Sequence, residues 1–355
     1  MPRRITARAS LTTVAAELGV STATVSNVYN RPEKVSPELR RRVLAAAERQ
    51  GYAGPDPAAR QLSRGRTDTL GLLFTGELSY AFKDPAAVAF LEGLSSSCQT
   101  AELNLLIISA ESTSHRSGAV GNAIVDGFVV YAVGDDDPHF RQIIDRQLPT
   151  VVVDSPRHTP GVDWVGPDDR AGARALGEVL VRMGHRRIGA IAAGTGGQSF
   201  SGPADDVAFG PAAASVFQDR ARGLRDALAV VGVTDLPVEL RPANTVADGV
   251  SACHALLDRR PDLTAVCALM DVMALGALEA AAARGLSVPG DLTVTGYDDI
   301  PRAAAIGLTT VSQPLVDKGR IAGELYLSHR RGAAPRRRVL PTHVQLRASS
   351  GPARA

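Results

Sequence analysis

Leu11, Val14, Ala15 and Leu18 repeat at the three- and four-residue spacing of one helix face, with Ser10 placed to cap the start and Gly19 to end it. A second helix starts after Ser21 and runs to about Tyr29, with Val25 and Val28 facing inward and Asn30 able to take the left-handed conformation that stops it. A third begins at Ser36-Pro37-Glu38, a capping hydroxyl followed by proline at the first helical position, and carries Leu39, Val43, Leu44 and Ala47 as its apolar stripe. Two short helices joined by a Gly-containing turn and closed by a third predict a helix-turn-helix.

From Thr69 the period changes. Apolar runs at Leu70–Phe74, Leu103–Ile108, Gly127–Tyr131, Thr150–Val153, Ile188–Ala193, Ala265–Leu269 and Leu292–Thr295 alternate with helical stretches rich in Ala, Leu and Arg. This alternation predicts parallel sheets with helices on both faces, divided into two lobes, with a ligand cleft beyond the carboxyl ends of the strands. Between the two patterns lies PDPAARQLSRGRT, residues 55–67, whose helix-compatible stretch Ala58–Ser63 is too short to be stable alone in water.

Charge sharpens this division. Residues 1–66 hold 12 Lys and Arg against 5 Asp and Glu, whereas the remainder is mildly acidic. A basic module of this kind suits a polyanion, since each cation near a phosphate releases condensed counterions. On the second helix Thr22, Ala23, Ser26 and Asn27 lie together opposite Val25 and Val28, small enough to approach base edges in a major groove; Ser21 and Thr24 suit phosphate contacts.

In the body, carboxylates follow the strands: Asp154 ends VVVD, Asp168 and Asp169 follow VGP, Asp271 follows ALM, and Asp298 and Asp299 follow TVTGY. Such groups can accept hydrogen bonds from a polyhydroxylated ligand or cap the next helix, and both roles stay open for Asp168, Asp169 and Asp271. Catalysis is not expected. GTGGQS lacks the Gly-Lys-Ser/Thr of a phosphate loop, no nucleophile elbow occurs, and seven scattered histidines form no metal cluster, so neither metal nor cofactor is expected. Cys98, Cys253 and Cys267 are far apart and read as buried apolar residues. The apolar runs are strand-sized, and MPRRITARAS has no apolar segment behind its charge, so a cytoplasmic location without membrane association is expected. Arg336–Arg338 reads as a solvated surface rather than a second DNA site.

LTTVAAELGVSTATVSNVYNRPEKVSPELRRRVLAAAERQGY resembles the DNA-binding head of the LacI/GalR family of repressors, and the likeness continues through DDRAGARALGEVLVRMGHRRIGAIAAG, DVMALGALEAAAARGLSVPGDLTVTGYDDI and LTTVSQPLVDKGRIAGELYL. It implies a multidomain chain: an all-α helix-turn-helix head at 1–55, a hinge helix at 56–67, and an α/β periplasmic-binding-protein-like effector domain of two doubly wound lobes at 68–347. Lobe 1 would span about 68–166 and 298–325, lobe 2 about 167–297 and 326–347, with a tail at 348–355. By the resemblance, Ser21, Thr22, Ala23, Thr24, Ser26, Asn27 and Asn30 face DNA, while Arg60 and Leu62 lie at the minor groove, where the leucine wedges between base steps. Asp154, Asp168, Arg220 and Asp298 match effector-contacting positions. Met270 replaces the family's asparagine, and ELSYAFKDPAA replaces its aromatic pair, leaving Tyr80, Phe82 and Asp84 as candidates. The resemblance implies a homodimeric repressor, not an enzyme, whose affinity for a palindromic operator is set by a small-molecule effector, a sugar or sugar derivative.

Overall fold

A computed structural model describes residues 10–54, 65–74, 76–109, 118–194, 200–204 and 215–354. It divides into two compact units at Thr67 and Asp68. Arg60 and Leu62 lie outside the described residues.

The head consists of α1 (Leu11–Leu18), α2 (Thr22–Asn30) and α3 (Pro37–Gln50). Ser10, Ser21 and Ser36 each accept a hydrogen bond from a backbone N–H in the first turn of the following helix. Val14, Ala15, Val25, Val28, Val43, Ala46 and Ala47 are buried as one core. Two details differ from the sequence expectation. Leu44 is 40% exposed, because Ala46 takes the inward position on α3. Asn30 stays helical, and α2 ends at Arg31 with an extended φ of −146°. Glu17 on α1 binds Arg49 at 2.6 Å and also accepts from Gln50, which ties the first helix to the third.

In the body, β1 (Thr69–Phe74), α4 (Pro85–Thr100), β2 (Asn104–Ser109), α5 (Gly118–Asn122), β3 (Gly127–Tyr131), α6 (Pro138–Asp145), β4 (Thr150–Val153) and β5 (Asp163–Pro167) build the first lobe. The chain then crosses into the second lobe through α7 (Asp169–Arg182), β6 (Ile188–Ala193), β7 (Gly202–Pro203), α8 (Ser215–Ala229), β8 (Val238–Arg241), α9 (Val246–Arg259), β9 (Ala265–Ala268), α10 (Asp271–Ala283) and β10 (Thr293–Thr295). The last elements are α11 (Pro301–Ala305), β11 (Thr310–Ser312), α12 (Leu315–Leu327), β12 (Arg337–Leu340) and β13 (His343–Gln345). The first sheet is parallel, in the order β12-β5-β4-β3-β1-β2. The second runs β10-β9-β6-β8-β7, parallel except for the short β7.

The last part of the chain departs from the expected lobe boundaries. Ile300, Ala303, Leu308 and Val311 pack into the second-lobe core rather than the first. Arg337–Leu340 pairs with β5, so this piece belongs to the first lobe. Residues 348–354, in the stretch expected to be a tail, are held in place: the Ser349 carbonyl accepts from Val294 N–H, the Gly351 carbonyl meets His185 Nε2 at 3.0 Å, and Ala353 N–H donates to the Met183 carbonyl. Backbone groups buried along β10 need partners, and the chain end supplies them.

Glycines allow the closest helix packing. A Cβ added at Gly319 of α12 would sit 2.0 Å from the Phe90 carbonyl oxygen of α4, and one at Gly93 would sit 1.8 Å from that of Val316. These two helices therefore meet backbone to backbone, which carries α12 down over β3, β4 and β5 and delivers its first turn to the ends of the strands.

Candidate functional site

The strand ends of the two lobes converge on a buried ionic chain. Asp154 follows β4 with φ at 62°, and Asp298 follows β10 with φ at 118°, both left-handed conformations that non-glycine residues seldom adopt. Such strain is retained where the surroundings over-determine the backbone. Asp298 N–H donates to the Val311 carbonyl at 2.8 Å, which fixes its carboxylate toward the interior.

Arg220, on α8, is 4% exposed. Its Nε donates to Asp169 Oδ1 at 2.8 Å, one terminal nitrogen donates to the Leu269 carbonyl at 2.6 Å, and the same nitrogen lies 3.3 Å from Asp298 Oδ1. The guanidinium stands 3.7 Å over the Tyr297 ring. From Asp298 the chain continues: Gln313 Nε2 donates to Asp298 Oδ1 at 2.7 Å, Lys318 Nζ donates to Gln313 Oε1 at 2.9 Å, and Lys318 Nζ donates to Asp154 Oδ2 at 2.6 Å. A line of polar contacts thus runs from Arg220 in the second lobe to Asp154 in the first. Beside it, Asn244 Nδ2 donates to the Tyr80 hydroxyl at 2.9 Å and approaches Asp84 Oδ1 at 3.4 Å, a second link across the lobes. Asp84 also caps α4 through Ala87 N–H.

Burial governs the protonation of this cluster. It pushes Asp298 up to about 8, against the attraction of Arg220. Burial likewise raises Asp154, against Lys318, and raises Asp84 and Tyr80. Burial opposes the charge on Arg220, but Asp169 and then Asp298 outweigh it and hold the guanidinium protonated. The two partners are not equivalent: the short hydrogen bond goes to Asp169, leaving Asp298 the less compensated carboxylate. Asp154 Oδ1 is buried with no hydrogen-bond partner.

The sequence candidates divide accordingly. Asp154, Arg220, Asp298, Tyr80 and Asp84 come together. Asp168 does not: it is exposed and caps α7 through Ala171 N–H, while its neighbour Asp169 turns inward to Arg220. A one-residue offset follows from the helical turn that begins there. Phe82 is 63% exposed and departs from the cluster, and Met270 is buried among the apolar residues of the second lobe without capping α10. Asp271, left open between capping and ligand contact, is fully buried and structural, accepting from Ile300 N–H at 2.9 Å and the Thr310 hydroxyl at 2.6 Å. Sequence reasoning does not find Gln313, Lys318 or Asn244. A lysine in the first turn of an otherwise amphipathic helix looks like an exposed charge, and only the tertiary fold places it against Asp154.

In the head, Ser21, Thr22 and Ala23 are exposed at the start of α2, and Thr24, Ser26 and Asn27 are half-buried. The Ser21 and Thr24 hydroxyls meet at 2.8 Å, and Asn30 Nδ2 donates to Ser26 Oγ at 3.1 Å. Among the described residues no group of His, Cys, Asp and Glu could hold a metal ion, and no helix is long and apolar enough to cross a membrane.

Residues 10–54 match the bacterial regulatory proteins of the lacI family, and residues 178–350 match the periplasmic binding protein-like domain. The chain is 41% identical over 356 residues to the HTH-type transcriptional regulator Rv3575c of Mycobacterium tuberculosis, covering 99% of this chain and 98% of that one. The chain belongs to the LacI family of transcriptional regulators. The solved structure of a LacI-family regulator from Corynebacterium glutamicum superposes with a TM-score of 0.72 at 34% identity, covering 98% of this chain and all of that one. A complex of the regulator CelR with cellobiose superposes at 0.68 and 30% identity, covering 96% of this chain and all of that one. The helix-turn-helix of residues 10–54 is thus the DNA-binding part of a transcriptional regulator.

Proposed function

We propose that this regulator is a homodimeric repressor whose affinity for a palindromic operator is controlled by a sugar or sugar derivative bound at the Arg220 cluster. The observation that carries this is the ionic chain Arg220–Asp298–Gln313–Lys318–Asp154, which joins the lobes through buried groups. Carboxylates and amides offer acceptors and donors close together, a pattern suited to vicinal hydroxyls. The relative crystallised with cellobiose supports a neutral carbohydrate. An effector that replaces internal partners of this chain changes how the lobes close. It shifts operator affinity by as much as its affinities for the two states differ.

On the DNA side, Thr22, Ala23, Ser26 and Asn27 face base edges, while Ser21, Thr24 and Asn30 lie nearer the phosphates. Arg60 and Leu62 act at the minor groove. The test begins with selection of random duplexes by the full-length protein, followed by a panel of neutral, anionic and amino sugars added to the complex. A neutral or cationic sugar is expected to shift operator affinity in the wild type and not in Arg220→Gln. A response confined to sugar phosphates or acids overturns the assignment.

A further inference from the structure

Because the first-lobe sheet is parallel, all its strands begin at one edge, and the segment linking head to body joins that edge at Thr69. Residues 328–336 leave α12 and lead into Arg337, the start of β12, so they reach the same edge. The stretch HRRGAAPRRR, residues 329–338, holds five arginines and a histidine and no carboxylate.

One of these arginines is structural. Arg336 donates to Asp163 from its backbone at 2.6 Å and from Nη2 at 2.7 Å, and its Nη1 donates to Ser328 Oγ at 2.7 Å, which staples the loop to the start of β5. Arg330, Arg331, Arg337 and Arg338 are exposed, and among the described residues none of them forms an ion pair. Arg337 is held at the strand start, its guanidinium 4.4 Å over the Trp164 ring and its Nη1 donating to the Arg157 carbonyl at 2.7 Å. Charged side chains on an edge strand also keep it from pairing with another chain. Four unpaired arginines on a body that is otherwise mildly acidic concentrate a positive potential at one place. Four interstrand steps of about 4.8 Å separate β12 from β1, so this patch lies roughly 19 Å from the point where the DNA-binding head is tethered.

We propose that Arg330, Arg331, Arg337 and Arg338 form a second DNA contact, gripping phosphates of the duplex that flanks the operator. The contact is independent of base sequence and adds to whatever the head reads. It requires DNA binding by the head but no particular effector.

The test compares the full-length wild type with the triple variant Arg330→Gln, Arg331→Gln and Arg338→Gln; Arg337 is kept because it packs on Trp164. Binding is titrated against salt on two duplexes carrying the selected site, one ending at the site and one extended by about a helical turn on each side. On the long duplex, where both protomers reach a flank, the logarithmic salt slope of the variant is expected to be shallower by about five, close to 0.9 for each of the phosphates no longer neutralised by the two protomers. On the short duplex the two proteins bind alike. The lysine triple variant keeps the wild-type slope, and Arg331→Gln alone, lost from both protomers, lowers it by about two, which decides the matter if the triple variant melts earlier. Equal slopes for wild type and variants on the long duplex overturn the proposal and leave the arginines as protection of a sheet edge. A wild type that enriches no sequence would instead count against operator recognition by the head.

Discussion

Lys318 Nζ donates to Asp154 Oδ2 at 2.6 Å although 164 positions separate the two residues. Neither side chain is more than 7% exposed. The pair joins α12, among the last helices along the chain, to the end of β4, and it does so beside the strained backbone of Asp154.

Lys318→Met removes the cation and leaves a buried carboxylate, a change that costs about 3–5 kcal/mol when a buried pair is broken on one side. Urea denaturation of the variant is expected to show a loss of this order. The double variant Lys318→Met with Asp154→Asn recovers part of it, because the acid left behind no longer needs a counter-charge.

Asp298 gives the stability a pH dependence. Burial lifts its carboxyl to about 8, above the value near 3.9 of an unfolded aspartate. Between those values the folded state keeps a proton that the unfolded state has released, so its contribution is full below about pH 4 and is lost as the pH rises through about 8. Asp298→Asn cannot titrate. Unfolding midpoints measured at about pH 5 and about pH 8 are expected to differ less in this variant than in the wild type; an equal or larger difference places the titration elsewhere.

Gly319→Ala places a methyl 2.0 Å from the Phe90 carbonyl oxygen, where no rotamer relieves the clash. The helices must separate, and the expected cost is about 3 kcal/mol or more, the upper range for overpacking. Because α12 carries Lys318, the variant also loosens the cluster between the lobes, which a fall in effector affinity would register.

Asn27→Ala tests the face of α2 directly. Val25 and Val28 on the opposite side remain buried, so the head keeps its fold. Removing a hydrogen bond to a base edge is expected to weaken the selected operator by about 1–3 kcal/mol while leaving non-specific binding unchanged. Equal losses on both kinds of DNA assign the side chain to the backbone.

The head is largely legible in sequence, since each helix carries its own caps and its own 3.6-residue stripe. Most first-lobe strands are also visible as runs of Val, Leu and Ile. β8 is not, because Glu239 and Arg241 are buried as an ion pair at 2.9 Å, with Arg259 binding the same glutamate at 2.5 Å, and a charged strand imitates a surface. β5 escapes notice because DWVGP ends in residues that usually mark turns. At the cleft, strand-end carboxylates can be named from sequence but not sorted. Whether Asp168 or Asp169 faces Arg220 depends on the first turn of a helix, and the role of Lys318 depends on a glycine-mediated approach between helices far apart in the chain.

The chain passes between the lobes three times, after β5, between β11 and α12, and between β12 and β13. Neither lobe is therefore a continuous stretch of sequence, and neither can be excised as a single fragment. Three covalent connections, rather than one, therefore tie the lobes to each other. Each lobe is thus completed only when the chain has visited the other, so the two cannot fold as independent successive units.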